Sequence, residues 1–332
     1  MHTQPASAGT AEPAPATSMD QSTKVLIGLV VVVFVTRAFG LVPDAPALQT
    51  WAAVFVAIVV QSLPFLLLGV VLAAGISTLL SEKVIEKVVP RRQSLAVPAA
   101  SVAGIGLIGC ECASVPIASS VISKGVGVPA AMSFLLAAPA VNPVVIVSTL
   151  VAFPGMPEMA LARFVASFAM SLAVGWLWIR LGRDVPLRSR YADDEHDHGH
   201  GLAGFLSAVQ HDLISTIGYL TIGAMLAAAV NTFVPKETLN ELGSHAVLGV
   251  LVLAAFAFVV ALCSQTDAFV AASLTSFSPT ARLVFLVVGP AMDVKLATLE
   301  AGVFGKAFAL RFVPLVLAVA VTSAVVVGTV LL

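Results

Sequence analysis

Nine apolar runs separated by short loops constrain this chain more than any motif does. A helix needs about 20 apolar residues to cross a bilayer core. The runs 24–42, 51–80, 95–123, 129–153, 159–182, 205–234, 246–276, 280–303 and 308–331 reach or approach that length. Of the 332 residues, 59% are hydrophobic and 11% charged, against about 25% charged in soluble domains. No soluble core encloses that much apolar side chain, so the expected class is an all-α polytopic membrane protein. A net charge of −1 gives no basic footprint for nucleic acid. Three cysteines are too few for a secreted disulfide framework.

Two segments stand apart from the apolar runs. Residues 1–23 are rich in Ala, Pro, Ser and Thr, lack apolar periodicity and are expected to be a disordered cytoplasmic tail. Residues 183–204 form the one long polar loop. The remainder, 24–332, is expected to be a single transmembrane domain. Arg37 interrupts the first run, which argues against a cleaved signal peptide.

The chain also matches itself. Residues 61–80 resemble 215–234, with Gly69 on Gly223. Cys110 falls on Cys263, Pro139 on Pro290 and Arg163 on Arg311. Four anchors in one order predict a duplication, with repeat 1 over 51–182 and repeat 2 over 205–331. Lys and Arg favour cytoplasmic loops, and the clearest basic loops are 82–93 and 180–190. Three runs separate them, so both face the cytoplasm only if one run enters and returns. The best candidate is 95–123, whose middle, GCECASVP, is a poor continuous helix. Its twin 246–276 breaks similarly at CSQTD. Each repeat then has three crossings and one re-entrant hairpin, and an odd number of crossings inverts the second repeat. The N-terminus and loop 183–204 are then cytoplasmic. The alternative is 8–9 full transmembrane helices.

Chemistry concentrates at two kinds of break. The first holds Cys110, Glu111, Cys112 and Ser114, and in the second copy Cys263, Gln265 and Asp267. Non-helical backbone at membrane depth survives only beside protein or a water-filled cavity. Ser114 aligns with Asp267, and both are good N-cap types. Pro116, just inside a new first turn, needs no donor. Thiols are soft ligands, and an intramembrane Glu marks function by default. The second kind is 138-APAVNP-143 with its copy 289-GPAMDV-294. Pro139 and Pro290 interrupt their helices. Asn142 before Pro143 reads as a fresh N-cap and first helical residue, and Asp293 takes the same position. Lys295 could pair with Asp293. Broken helices at a repeat interface are where transporters bind substrate, so these residues are the candidate substrate site.

The loop 193-DDEHDHGH-200 offers His196, His198 and His200 as a weak metal site, although such loops are more often simply solvated. There is no ATP-binding G-x-x-x-x-G-K-[ST] run and no H-E-x-x-H or G-x-S-x-G signature. The expectation is therefore no enzyme and no cofactor. Expected partners are the lipid bilayer and a small-molecule or ion substrate, with a homo-oligomer or accessory subunit left open.

Cys110-x-Cys112, Pro116, Lys124-Gly125 and the A-P-A-x-N-P run at 138–143 resemble the bacterial predicted-permease family that includes the organoarsenical-efflux permeases (ArsP-like). The resemblance runs from about residue 50 to the end. It implies a multi-pass inner-membrane permease, and for the arsenic branch export of trivalent organoarsenicals such as methylarsenite. It assigns the arsenic-facing thiols to Cys110 and Cys112. The family pattern usually has a small polar residue between the cysteines and Gly after them. Here those positions are Glu111 and Ala113, and a carboxylate suits a cation or a proton-coupled step. A divalent transition-metal permease is therefore the alternative, followed by a membrane thiol oxidoreductase.

Overall fold

The computed structural model describes residues 46–79, 89–90, 92–107, 111–182, 202–233 and 246–332. The tail 1–23, the first run, Cys110, and His196, His198 and His200 lie outside the described residues. All regular structure among those described is helical. In chain order the first six helices are α1 (Pro46–Leu79), α2 (Gln93–Ile105), α3 (Glu111–Ser123), α4 (Val128–Ala140), α5 (Pro143–Ala152) and α6 (Pro157–Leu181). They are followed by α7 (Leu202–Phe233), α8 (Ala246–Val260), α9 (Asp267–Ser273), α10 (Pro279–Ala291), α11 (Val294–Val303) and α12 (Lys306–Leu331).

A similar series of helix lengths occurs twice, differing most at the third helix. It is 34, 13, 13, 13, 10 and 25 residues, then 32, 15, 7, 13, 10 and 26. Runs 95–123 and 246–276 do not continue as single helices. Gly104 and Gly106 are weak helix formers, and α2 ends with Gly106 as its C-cap. In the second copy Ala261 adopts a left-handed φ of 51° directly after α8, a conformation L-residues seldom take. Among the described residues, four helical stretches are long and apolar enough to cross a membrane: Leu48–Thr78, Val128–Ala152, Pro157–Leu181 and Lys306–Leu331.

Side-chain contacts fix the directions of travel. The Gln93 side chain, at the start of α2, lies against Gly127, just before α4. Ser101 and Ser133 hydroxyls meet at 2.5 Å, and Gly104 abuts Ala137 and Ala138. So α2 and α4 run the same way, and α3 between them runs back. Helix α6 opposes both: Ser133 donates to the Ser171 carbonyl at 2.9 Å, and Trp176 Nε1 to the Ser94 carbonyl at 3.1 Å. Phe308 and Phe312, at the start of α12, pack on Trp178 at the end of α6, with centroids 5.2 and 5.1 Å away. The far end of α12 meets the start of α10, where Gly328 touches Thr280.

Two close approaches depend on glycine. A Cβ on Gly69 would stand 2.5 Å from the Ala113 Cα. One on Gly223 would stand 2.8 Å from the Lys295 Cα. These are the glycines that the self-comparison aligns. Each lets a long helix press against the segment that carries a buried charge, Glu111 or Lys295. Large apolar side chains such as Leu310, Val330 and Val247, all at least 75% exposed, cover the outside. A soluble protein does not tolerate such a surface; a bilayer does.

Candidate functional site

Both helix interruptions at the paired Pro motifs are capped as their residue types suggest. Asn142 is the N-cap of α5 and accepts from the Val145 N–H at 3.0 Å. Asp293 is the N-cap of α11 and accepts from the Leu296 N–H at 2.5 Å. Pro143 is the first residue of α5. Pro139 and Pro290 sit in the last turns of α4 and α10, where each helix stops one residue later.

The other two break residues behave differently from the sequence expectation. Ser114 is not a cap but lies buried inside α3, which starts at Glu111. Pro116 is likewise within the helix and beyond its first turn. The interruption comes earlier, after the glycines of 104–106, so the returning helix is already under way at Ser114. Asp267 opens α9, with Thr266 at the cap position, and its side chain serves a different purpose.

That purpose is an ion pair between the halves. Arg163 Nη2 reaches Asp267 Oδ2 at 2.7 Å, and both side chains are nearly fully buried. The same nitrogen donates to the Ser264 carbonyl at 3.0 Å, and Nη1 donates to Thr149 Oγ1 at 2.8 Å. Arg163 therefore ties α5 and α6 to the second break. A second pair crosses the other way. Lys295 Nζ lies 2.6 Å from Glu111 Oε1 and 3.6 Å from Asp293 Oδ2. Lys295 and Glu111 are 184 residues apart in the chain. Lys295 does approach Asp293, but its short contact is with Glu111.

A cavity of about 230 Å³ opens on this second pair. Its walls are Val54, Ala57, Ile58, Gln61 and Ser62 of α1, Val260, Ala261, Leu262 and Cys263 of the second break, and Glu111 and Lys295. Cys263 Sγ donates to Gln265 Oε1 at 3.1 Å. Cys112 shares one small apolar cluster with Cys263, Leu66, Val70 and Leu220. The thiols of the two breaks thus converge, one on the wall and one behind it. Of the residues singled out from sequence, Glu111, Cys263 and Lys295 line the cavity; Asp293 caps the helix that carries Lys295, and Asn142 caps α5, none of whose residues reach the cavity wall. Gln61 and Ser62 were missed, and their signal was two adjacent polar residues inside run 51–80. Glu300, buried in α11, was also missed, although it is the one acid in the interior of run 280–303 other than Asp293. Among the described residues, no three His, Cys, Asp or Glu side chains group closely enough to hold a metal ion.

Comparison with known proteins then adds a lineage. The model of the family ArsP_1, described as "Predicted permease", matches residues 47–329. "UPF0718 protein YcgR" of Bacillus subtilis is 33% identical over 284 residues, 83% of this chain and 96% of that protein. The "Putative two-component membrane permease complex subunit" of Streptococcus mutans is 29% identical over 268 residues, 79% of this chain and 89% of that protein. No solved structure matches.

Proposed function

The chain belongs to the ArsP_1 predicted-permease family, and from that premise we propose that this membrane permease exports a soft, thiophilic solute such as a trivalent organoarsenical. The observation that carries the proposal is the cavity wall. Glu111 on its own would argue for a cationic substrate. Lys295 opposes that charge at 2.6 Å, so the two charged side chains that line the cavity beside Cys263 are paired with each other. Thiolate and thiol sulfur are soft donors for trivalent arsenic, and a neutral solute meets no unopposed charge there. Thiol exchange with a redox partner is disfavoured, since Cys112 is 0% and Cys263 6% exposed and exchange needs access.

The transport cycle follows from an inverted arrangement of the two halves. The start of α12 packs on the end of α6, and the end of α12 on the start of α10, which supports α6 and α12 crossing in opposite senses. On this reading α2–α3 and α8–α9 are re-entrant hairpins that enter from opposite sides and meet at mid-depth. Irregular backbone is tolerable there because protein and a cavity surround it. Arg92, Lys124, Arg180 and Lys306 then gather at one end, as the positive-inside rule asks of the cytoplasmic side. Rocking of one half against the other would expose the cavity alternately to each side. The name of the Streptococcus mutans relative makes an accessory subunit a reasonable partner.

Everted vesicles test the substrate. They are expected to accumulate methylarsenite, and Cys112→Ser/Cys263→Ser to slow accumulation about a hundredfold. That is a tenfold step, about 1.4 kcal/mol, for each soft sulfur donor replaced by a hard oxygen. Unchanged transport in the double variant would remove these thiols from the mechanism.

A further inference from the structure

Among the described residues, Glu300 is the one buried carboxyl group with neither oxygen partnered. It lies on α11, is 0% exposed, and neither carboxyl oxygen has a hydrogen-bond partner among the described residues. A bare carboxylate in such a setting is far costlier than a neutral acid, and a group so buried neutralises instead. Intramembrane acids of this kind mark proton pathways.

Its surroundings have a direction. Glu300 is five residues beyond Lys295, about 7.5 Å along the helix at 1.5 Å per residue. That displacement leads from the cavity toward the end where α11 gives way to Lys306. Two further hydroxyls on helices packed against α11 are buried without a partner. Ser119 lies about two turns past Glu111 on α3, and Thr216 about one turn from Tyr219 on α7. Tyr219 itself abuts Gly302, one turn or less from Glu300.

The charged and titratable neighbours are few. From α3 come Glu111, held by Lys295, and Cys112. From α7, among side chains described, comes Tyr219. From α12 come Lys306 and Arg311, both exposed. Helix α8 contributes none. On its own segment Glu300 is preceded by Asp293 and Lys295. No cation among these pairs with Glu300, so nothing described holds it as a permanent anion.

We propose that Glu300 is the proton carrier of the transport cycle, which makes export proton-coupled. This deepens the permease reading and rests on it. At rest the carboxyl holds its proton. When the site opens to the cytoplasmic end, Glu300 releases H⁺ to water there and becomes a carboxylate. A proton entering from the opposite side through the Glu111–Lys295–Asp293 cluster restores the acid. One proton moves inward for each solute moved outward, and no other co-reactant is needed.

The test uses the full chain in proteoliposomes, with two readouts. Infrared difference spectra at neutral pH are expected to show the C=O stretch of a protonated carboxylic acid. The band should shift in D2O, disappear in Glu300→Gln and persist in Glu111→Gln. An absent band, or one that never shifts in D2O, would overturn the proposal, because the proton would be missing or inaccessible. In the second readout, a one-unit pH gradient should drive about tenfold accumulation of methylarsenite for one-to-one coupling. Glu300→Gln should lose that response, and Glu300→Asp should retain a weaker one. A full gradient response in Glu300→Gln would also overturn it. If the wild type moves no methylarsenite under any condition, the substrate assignment fails, and the infrared band still decides whether Glu300 carries an exchangeable proton.

Discussion

Lys295→Met is expected to destabilise the folded protein by about 3–5 kcal/mol, the usual effect of removing one partner from a buried ion pair. Lys295 and Glu111 are 2% and 1% exposed at the side chain, so water cannot replace the missing partner. Glu111 Oε2 already lacks a hydrogen bond, and without Lys295 its other oxygen would lack one too. Asp293 would lose the same cation, although the N-terminus of α11 still donates to it. The damage should therefore centre on Glu111. Adding Glu111→Gln removes the orphaned charge and should recover about half of the loss, because a neutral amide costs far less to bury than a carboxylate. Thermal unfolding in detergent, followed by tryptophan fluorescence, measures both effects. A Lys295→Met variant as stable as wild type would mean that the pair does not hold the halves together.

The second large effect is expected at Arg163. Its guanidinium reaches three partners: Thr149 in its own half, and Ser264 and Asp267 in the second break. Arg163→Met leaves Asp267 buried and uncompensated, again an expected loss of about 3–5 kcal/mol. Arg163→Lys keeps the charge but not the planar fork, so it cannot serve all three partners. It is expected to be intermediate, at about 1–3 kcal/mol for the acceptors left unsatisfied. The effect should be local as well as global. Residues 261–266 join two helices and include the left-handed Ala261, and Arg163 is what fastens this segment to α5 and α6. Hydrogen exchange across 261–274 should accelerate in Arg163→Met more than exchange in α4. Unaltered protection of that segment would show that Arg163 is not its clamp.

Local chemistry in this chain was legible, and long-range pairing was not. Asn142 and Asp293 could be read as caps because a cap depends on the two or three residues that follow it. The interruption of runs 95–123 and 246–276 was legible because Gly and polar residues weaken a helix wherever they fall. Ser114 misled for a related reason. Its type suits a cap, but Ser114 lies inside α3, on a turn whose Ala113 packs against Gly69, a contact between distant segments that no local signal announces. The same limit explains the charges. Sequence singled out Glu111 as an intramembrane acid, Asp267 as a cap type, Arg163 as a repeat anchor and Lys295 as a neighbour of Asp293, but nothing local says which of them meet. The partners, 104 and 184 residues apart, are brought together only by the crossing of the halves. Glu300 escaped notice because no motif surrounds it; its signal was simply an acid in an apolar run.

The central claim is that α2–α3 enters and leaves on one side, so that the second half is inverted and both breaks meet at mid-depth. Single cysteines at Arg92, Lys124 and Glu158, in a background with Cys110, Cys112 and Cys263 replaced by Ser, test it with a membrane-impermeant maleimide. The account predicts that Arg92→Cys and Lys124→Cys react only from the cytoplasmic side, and Glu158→Cys only from the opposite side. Labelling of Lys124→Cys from the side opposite to Arg92→Cys would contradict it, because run 95–123 would then cross the membrane.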